Sequence, residues 1–459
     1  MAQSPGPAVP PSSGGATVPS TPGAPANGTA STAARPADRP FTLEEAVAYA
    51  LQNNPRIGGA AAQIREARAR ITQRRAERGP QFGVNNYVLR QGPVIPGSVP
   101  GSAPAFPPYA WNVGVFVSQV LFDWGQRAHR QSAAEHETEA FRRRALETSN
   151  DVRLVVSTTF FNILRAEQLL TVAQERREAT AEQLRVARAR FEADIAPRFD
   201  VIRSEAELAN AEQDVIAAQN DVALANASFN TALGRDVVAP VTLKYDAEPA
   251  HPDVPFDAAR ETAAANRPEL EAIREDIQSG VQEVRARRAE NRPQVGLTGA
   301  YNRPNPGGFA STAYRYNFGL TMTWPFFDSG FTRGRVREAE AIVEGNRQTL
   351  EQARQQVDLD VRQAGLDIQE AQRRALASQK EVTAAREALR VSQVRYRAGV
   401  GTNVEVTDAQ VALARAGQNL ANAQFDYETA ISRLEFAAGV PIEKLLAPRP
   451  TSPGQPAAK

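Results

Sequence analysis

Two carboxylates late in the chain, Glu405 and Asp408, are the residues best placed to act on a passing ion. They stand three apart in a helical pattern, so both project from one face. Copies of that face gathered around an axis would favour cations, bind divalent or trivalent ions, and raise the pKa of some members by like-charge repulsion. The same residues have an ordinary structural use. Thr402-x-x-Glu405 is a capping box, and acidic side chains in a first helical turn complement the helix dipole. Little else offers chemistry. Cys is absent, which removes disulfides, thiolate metal sites, a Cys nucleophile and an acylated-Cys anchor. His129, His136 and His251 stand in no metal-ligand constellation and read as solvated. No Ser/His/Asp arrangement, phosphate loop or catalytic carboxylate pair in a cleft emerges. The chain does not read as an enzyme, and no cofactor or metal is expected.

The elements that carry these residues occur twice. Gly114 matches Gly319, Asp123 Asp328, Gly125 Gly330, Arg190 Arg395, Val201 Val406 and Gly234 Gly439, all at an offset of 205. Upstream, Ala46 matches Ala259, Pro55 Pro268 and Pro80 Pro293 at an offset of 213, so eight extra residues fall between Gly83 and Asn112. A period this long is a duplicated half-molecule and not a solenoid of small units. The halves are expected at 41–240 and 256–446, with a linker at 241–255.

Composition narrows the class. The 459 residues carry a net charge of +1, which gives no reason to expect nucleic acid. No run of 18 apolar residues occurs and mean hydropathy is −0.42, which excludes a helical membrane span. A β-barrel span stays open, because its signal per strand is weak. Residues 1–40 and 447–459 are rich in Pro, Ala, Gly and Ser and read as disordered tails. Met1-Ala2-Gln3-Ser4 lacks the basic and apolar regions of a signal peptide, so an exported form is expected to be processed, with an added Met.

Each half reads as helix, hairpin, very long helix, turn, helix. From Gly330 to Arg397 there is no Pro, and Val357, Val361, Ala364, Ile368, Ala371, Ala375, Val382 and Leu389 keep heptad spacing. That is a seam of roughly 100 Å at 1.5 Å per residue. Val152, Val156, Thr159, Ile163, Ala166 and Leu170 repeat it in a long helix over about 124–193. The shorter helices, about 43–78 and 199–233 in the first half and 403–438 closing the second, are expected to stack end to end beside the long ones. The hairpins fall at about 80–122 and 293–327. Tyr316, Phe318, Leu320, Met322, Trp324 and Phe326 alternate with Asn317, Gly319, Thr321, Thr323 and Pro325. Val113, Val115, Val117 and Leu121 alternate likewise. Apolar alternation over strands of about ten residues, with Trp111, Trp124, Tyr316, Trp324 and Phe327 near the ends as aromatic girdles, suits a membrane barrel. A soluble sandwich also alternates. Four strands cannot close a barrel, so at least a dimer is needed.

With this layout over residues 41–446, and a turn reading Tyr396-Arg397-Ala398-Gly399-Val400-Gly401-Thr402-Asn403-Val404-Glu405-Val406-Thr407-Asp408, the chain resembles the TolC-like outer membrane efflux protein family. The resemblance implies an α+β fold: a long antiparallel coiled-coil helical barrel plus a transmembrane β-barrel shared between three protomers, four strands each. It implies a passive homotrimeric exit duct of a tripartite efflux or type I secretion system in the Gram-negative outer membrane, its long helical portion in the periplasm. The implied partners are outer-membrane lipid, a periplasmic adaptor and an inner-membrane pump of proton-driven or ABC type. Glu405 and Asp408 then look like constricting rings, and Tyr396 and Asp200 like parts of the network that closes the tunnel. An Arg typical of that network is replaced by Gly401, which implies either a weaker lock or Arg397, Arg198 or Arg203 as a substitute. The tips, with Asp194 and Ile195 in one and Gly399, Val400 and Gly401 in the other, look like adaptor-docking grooves; tight turns alone would also ask for Gly. The alternative is a soluble periplasmic coiled-coil or adaptor protein, and the Tyr316–Phe326 face separates the two readings.

Overall fold

A computed structural model describes residues 40–90, 109–245, 256–305, 314–442 and 445. Both tails and the linker at 246–255 lie outside the described residues. The helices are α1 (Leu43–Asn53), α2 (Pro55–Ala76), α3 (Gln126–Glu192), α4 (Arg198–Leu233), α5 (Phe256–Asn266), α6 (Pro268–Ala289), α7 (Phe331–Arg397) and α8 (Asn403–Ala438). The strands are β1 (Gln81–Arg90), β2 (Tyr109–Phe122), β3 (Gln294–Asn305) and β4 (Arg315–Thr323). Element lengths recur in order: 11 and 22 residues for the first two helices, 67 for the long one, 36 for the return helix.

The single helix expected over 43–78 is two. Asn54 leaves helical geometry, its side chain accepts from the Arg56 amide at 2.8 Å, and Pro55 occupies the first position of α2. Proline excludes the preceding residue from the α region and lacks the amide a continuing helix would need, so the chain must restart. Arg267 and Pro268 break the second copy in the same way. The break residues then tie the layers together. Asn54 donates to the Ala232 carbonyl at 2.7 Å, and Arg267, 7 % exposed, donates to Phe436 and lies over its ring. The helices α2 and α4 pack on α3, and α6 and α8 pack on α7 and on α3 as well, so the two halves share a seam.

Two apolar cores sit at this level. Phe160, Phe229, Phe41 and Val156 close the first; Val357, Val361, Ile368 and Leu434 close the second. The predicted α7 seam is buried except at Ala375, where Ser378 is buried instead. Glu147 is half-buried on α3, and burial, aided by Glu269 and Asp151 and opposed by Arg267 and Arg144, holds its carboxyl above the usual range. A carboxyl whose folded pKa is raised costs stability once pH exceeds the unfolded value. Glu147→Gln should therefore raise the unfolding midpoint by about 1–2 °C at pH 8, and the gain should vanish near pH 4; a pH-independent shift in calorimetry would refute the cause.

The four strands form one antiparallel sheet in the order β1-β2-β3-β4. Register puts Phe82, Val84, Val113, Val115, Val117, Leu297, Tyr301, Tyr316, Phe318, Leu320 and Met322 on one face. Asn85, Gly114, Ser118, Thr298, Asn302, Asn317 and Thr321 take the other, along with Tyr87, Phe116 and Val120, while Asn86, Gln119 and Arg303 interrupt the apolar face. On the apolar face Phe318, Leu320 and Met322 are each about 70 % exposed, a density of bare hydrophobic surface that water-soluble monomers avoid. Two expectations are corrected. A bulge between Val120 and Phe122 puts Phe122, not Leu121, beside Val295 on the apolar face. And β4 ends at Thr323, short of the hairpin limit at 327: Pro325 has no amide for the ladder, so Trp324 and Phe326 continue the letter pattern but not the strand. The expected girdle residues divide between the ends, with Trp111 and Tyr316 toward the hairpin turns and Trp124, Trp324 and Phe327 toward the helices.

Candidate gate at the coil tips

The α3–α4 and α7–α8 turns are built alike. The Arg190 carbonyl accepts from Ile195 and Ala196, and the Arg395 carbonyl from Val400 and Gly401. Each turn then needs a left-handed residue, which Asp194 supplies at φ 57° and Gly399 at φ 76°. Ile195 and Val400 are 66 % and 69 % exposed at the two apices. A Cβ at Gly401 would lie 2.9 Å from the Arg395 Cβ and 3.1 Å from the Tyr396 nitrogen. No side chain fits there without moving the last turn of α7, so this turn cannot present an arginine from position 401.

A different arginine packs on Tyr396. Among the described residues, none of Arg397, Arg198 or Arg203 forms a hydrogen bond or cation–π contact with Tyr396. Arg190, near the end of α3, places its guanidinium over the Tyr396 ring, 4.5 Å from the centroid, and donates to the Tyr396 carbonyl. Tyr396 is 3 % exposed, and its hydroxyl stands 3.5 Å from Asp200. Burial, with Asp200 adding and Arg190 opposing, raises its pKa, so the ring stays a neutral phenol. Leu389 and Val406 wall the ring on its apolar side.

Behind Tyr396 runs a buried polar ladder that was not anticipated. Gln183 donates to Asn403 Oδ1 at 2.6 Å, and Asn403 donates to Ser204 at 3.1 Å and to the Asp200 carbonyl at 3.2 Å. Gln410 donates to the Ala179 carbonyl at 3.0 Å. The ladder joins α3, α4 and α8 through groups that cannot be left unpaired in a buried seam. The repeat itself held a clue to Arg190, whose counterpart is Arg395; nothing local marked Asn403, which reads as an ordinary first-turn residue.

Glu405 and Asp408 share the exposed face of α8, opposite the buried Asn403, Val406 and Gln410. Thr402 caps the helix by accepting from the Glu405 amide at 3.3 Å, and its hydroxyl stands 3.3 Å from one Glu405 carboxylate oxygen while the other lies 3.5 Å from Arg395. So half of the capping box forms. Asp408, its side chain 71 % exposed, reaches only to Arg203 at 3.9 Å. Both carboxylates lie at the surface, Glu405 held by Thr402 and Arg395 and Asp408 the freer of the two. The histidines differ from expectation: His129 bonds Gln282 at 3.0 Å and His136 bonds Glu275 at 2.7 Å, while His251 lies outside the described residues.

Known proteins share the fold. The family model described as outer membrane efflux protein matches residues 46–235 and 259–440. The alkaline protease secretion protein AprF of Pseudomonas aeruginosa is 25 % identical over 299 residues, 64 % of this chain and 62 % of that protein. The outer membrane protein TolC of Vibrio cholerae is 23 % identical over 418 residues, covering 88 % and 91 % of the two chains. In fold, the CmeC outer membrane channel of Campylobacter jejuni superposes with a TM-score of 0.77 at 16 % identity, over 86 % of this chain and 85 % of that one. The open-state MtrE outer membrane channel of Neisseria gonorrhoeae gives 0.71 at 22 % identity, over 87 % and 89 %. The family model spans both halves of the chain, coil and strands alike: this chain belongs to the outer membrane efflux protein family, the TolC-like proteins of the Gram-negative outer membrane whose long helical portion lies in the periplasm.

Proposed function

We propose that three copies of this chain form a passive exit duct, opened at the coil tips, for a tripartite efflux or type I secretion system. One observation carries the reading: a four-stranded sheet with two open edges and a bare apolar face, continuous with a coil roughly 100 Å long. Lipid covers such a face, and the edges pair only if other copies supply the missing strands. Twelve strands from three protomers would close that barrel around the largely polar face, giving a wide wet lumen with little substrate preference. This surface tells against a soluble coiled coil or adaptor, which would be insoluble with it exposed.

In a threefold assembly Glu405 and Asp408 of each copy turn toward the axis, and six carboxylates ring the mouth. The duct has no energy source of its own; a proton-driven or ABC pump in the inner membrane supplies it through an adaptor, which docks at the tips around Asp194, Ile195, Gly399, Val400 and Gly401. Single-channel recording in planar bilayers tests the whole reading. The wild type should give a small cation-selective conductance blocked by a divalent cation from the coil side only. Glu405→Ala with Asp408→Ala should raise the resting conductance severalfold and abolish the block. Block of unchanged strength in the double variant would remove the ring, and failure of the wild type to insert would remove the duct.

A further inference from the structure

We propose that the coil-side rim of the sheet is an arginine collar that binds the headgroups of anionic phospholipid, a surface that rests on the membrane reading of the sheet. The apolar face ends at Phe122, whose ring meets Trp124 at 5.1 Å. The Trp124 indole is fixed by donating to the Pro293 carbonyl at 2.9 Å, and the Arg292 guanidinium lies over it, 5.0 Å from the centroid. A fixed cation therefore stands one aromatic ring beyond the last apolar side chain, on the same face. The second hairpin ends alike, with Trp324 against Phe326 and Arg335 over Phe331, the three aromatics between 53 % and 79 % exposed.

Charge around this rim is out of balance. Arg75, Arg78, Arg292, Arg333 and Arg337 lie within about two helical turns of the strand ends, all exposed, and none forms an ion pair among the described residues. The neighbouring carboxylates are already committed. Glu77 holds Arg74 at 2.8 Å, and Glu290 alone holds Arg130, Arg287 and Arg335 at 2.7–3.0 Å. Asp123 and Asp328 accept from backbone amides at the starts of α3 and α7. Only Glu338 on the same stretch has no such partner.

The headgroup layer begins where the hydrocarbon ends and is roughly 5–8 Å deep, about one to one and a half turns of helix, and the long side chain of Arg337, tilted toward the start of α7, reaches back toward it from the second turn. Guanidinium forks at that depth match phosphate oxygens bidentately, and aromatic rings beside them suit the interface. Each arginine brought to an anionic surface favours it roughly fivefold. Continuity with the apolar face is what selects a bilayer as the occupant: the collar begins where the lipid-facing side chains stop.

The test uses the full chain reconstituted into nanodiscs of phosphatidylcholine alone and of phosphatidylcholine with equimolar phosphatidylglycerol, then extracted in mild detergent, with the retained lipid identified by mass spectrometry. The wild type should retain phosphatidylglycerol over phosphatidylcholine by about tenfold or more, less so at high salt. Arg292→Gln with Arg333→Gln and Arg337→Gln should bring the retained lipid to the composition of the bilayer, while the matching Lys variant keeps most of the preference. Equal retention of the two lipids by the inserted wild type, or undiminished preference in the Gln variant, would overturn the collar alone. A wild type that enters neither bilayer would overturn the membrane reading and the collar with it.

Discussion

Arg190→Ala should open the duct at rest. Its guanidinium covers the Tyr396 ring and donates to the Tyr396 carbonyl, so one side chain of α3 fastens the last turn of α7. A partly desolvated cation–π contact contributes about 1–2 kcal/mol and a charge-assisted hydrogen bond about 1.5–3 kcal/mol. Losing both shifts a two-state tip by about 3 kcal/mol in each copy, which is on the order of a hundredfold in its open fraction. Arg190→Lys keeps the charge but not the planar fork, and its effect should be smaller. Tyr396→Phe removes only a hydroxyl 3.5 Å from Asp200 and should cost least. The expected order of resting conductance is therefore Arg190→Ala, then Arg190→Lys, then Tyr396→Phe, then wild type. Closed-state conductance unaltered in Arg190→Ala, with an increase in Tyr396→Phe, would place the latch on the Tyr396–Asp200 pair instead.

What the letters reveal about this chain depends on the range of the interaction. Heptad spacing and strand alternation arise from local geometry repeated over many residues, and they located both long helices and both hairpins to within a few residues. The tips were legible for the same reason, since a turn between antiparallel helices advertises itself at Gly399. Single residues that override a pattern were harder. Pro55 and Pro268 sat in plain view as a matched pair, yet the apolar periodicity runs across them and hides the break. At the end of β4 the alternation outlives the hydrogen bonds, because Trp324 and Phe326 are placed for their aromatic surface and not for the ladder.

The Arg190–Tyr396 contact was invisible for a third reason. Arg190 and Tyr396 are 206 positions apart, and neither residue's neighbours predict the other. The departure at Gly401 suggested a weaker closure or an arginine within a few positions of the tips. Packing explains the actual solution: the α7–α8 turn folds so tightly that a Cβ at 401 would press on Arg395, and the free flank of Tyr396 faces α3. A glycine that looked like a loss is a condition of the turn, and the cation crosses from the other half of the chain.

Ala371→Pro should abolish assembly. Ala371 lies mid-way along α7, 2 % exposed in the seam formed with Val361, Ala364 and Ile368. Proline there removes the hydrogen bond to the Asp367 carbonyl and drives its ring into that turn, at about 3 kcal/mol or more. The local cost is the lesser part. A kink in a helix of 67 residues swings its far half out of line with α8, so the apolar contacts on the tip side of the break separate together. Small, closely apposed alanines cannot follow such a displacement, because they have no rotamers with which to refill the gap. Ala371→Gly separates backbone geometry from flexibility, since it costs about 1 kcal/mol without a clash. Light scattering on detergent-purified protein should show the Gly variant at the mass of the wild-type oligomer and the Pro variant as monomer or aggregate with reduced helicity. A normal oligomer from Ala371→Pro would mean that α7 bears on its partners through a different face from the one that buries Val361 and Ile368.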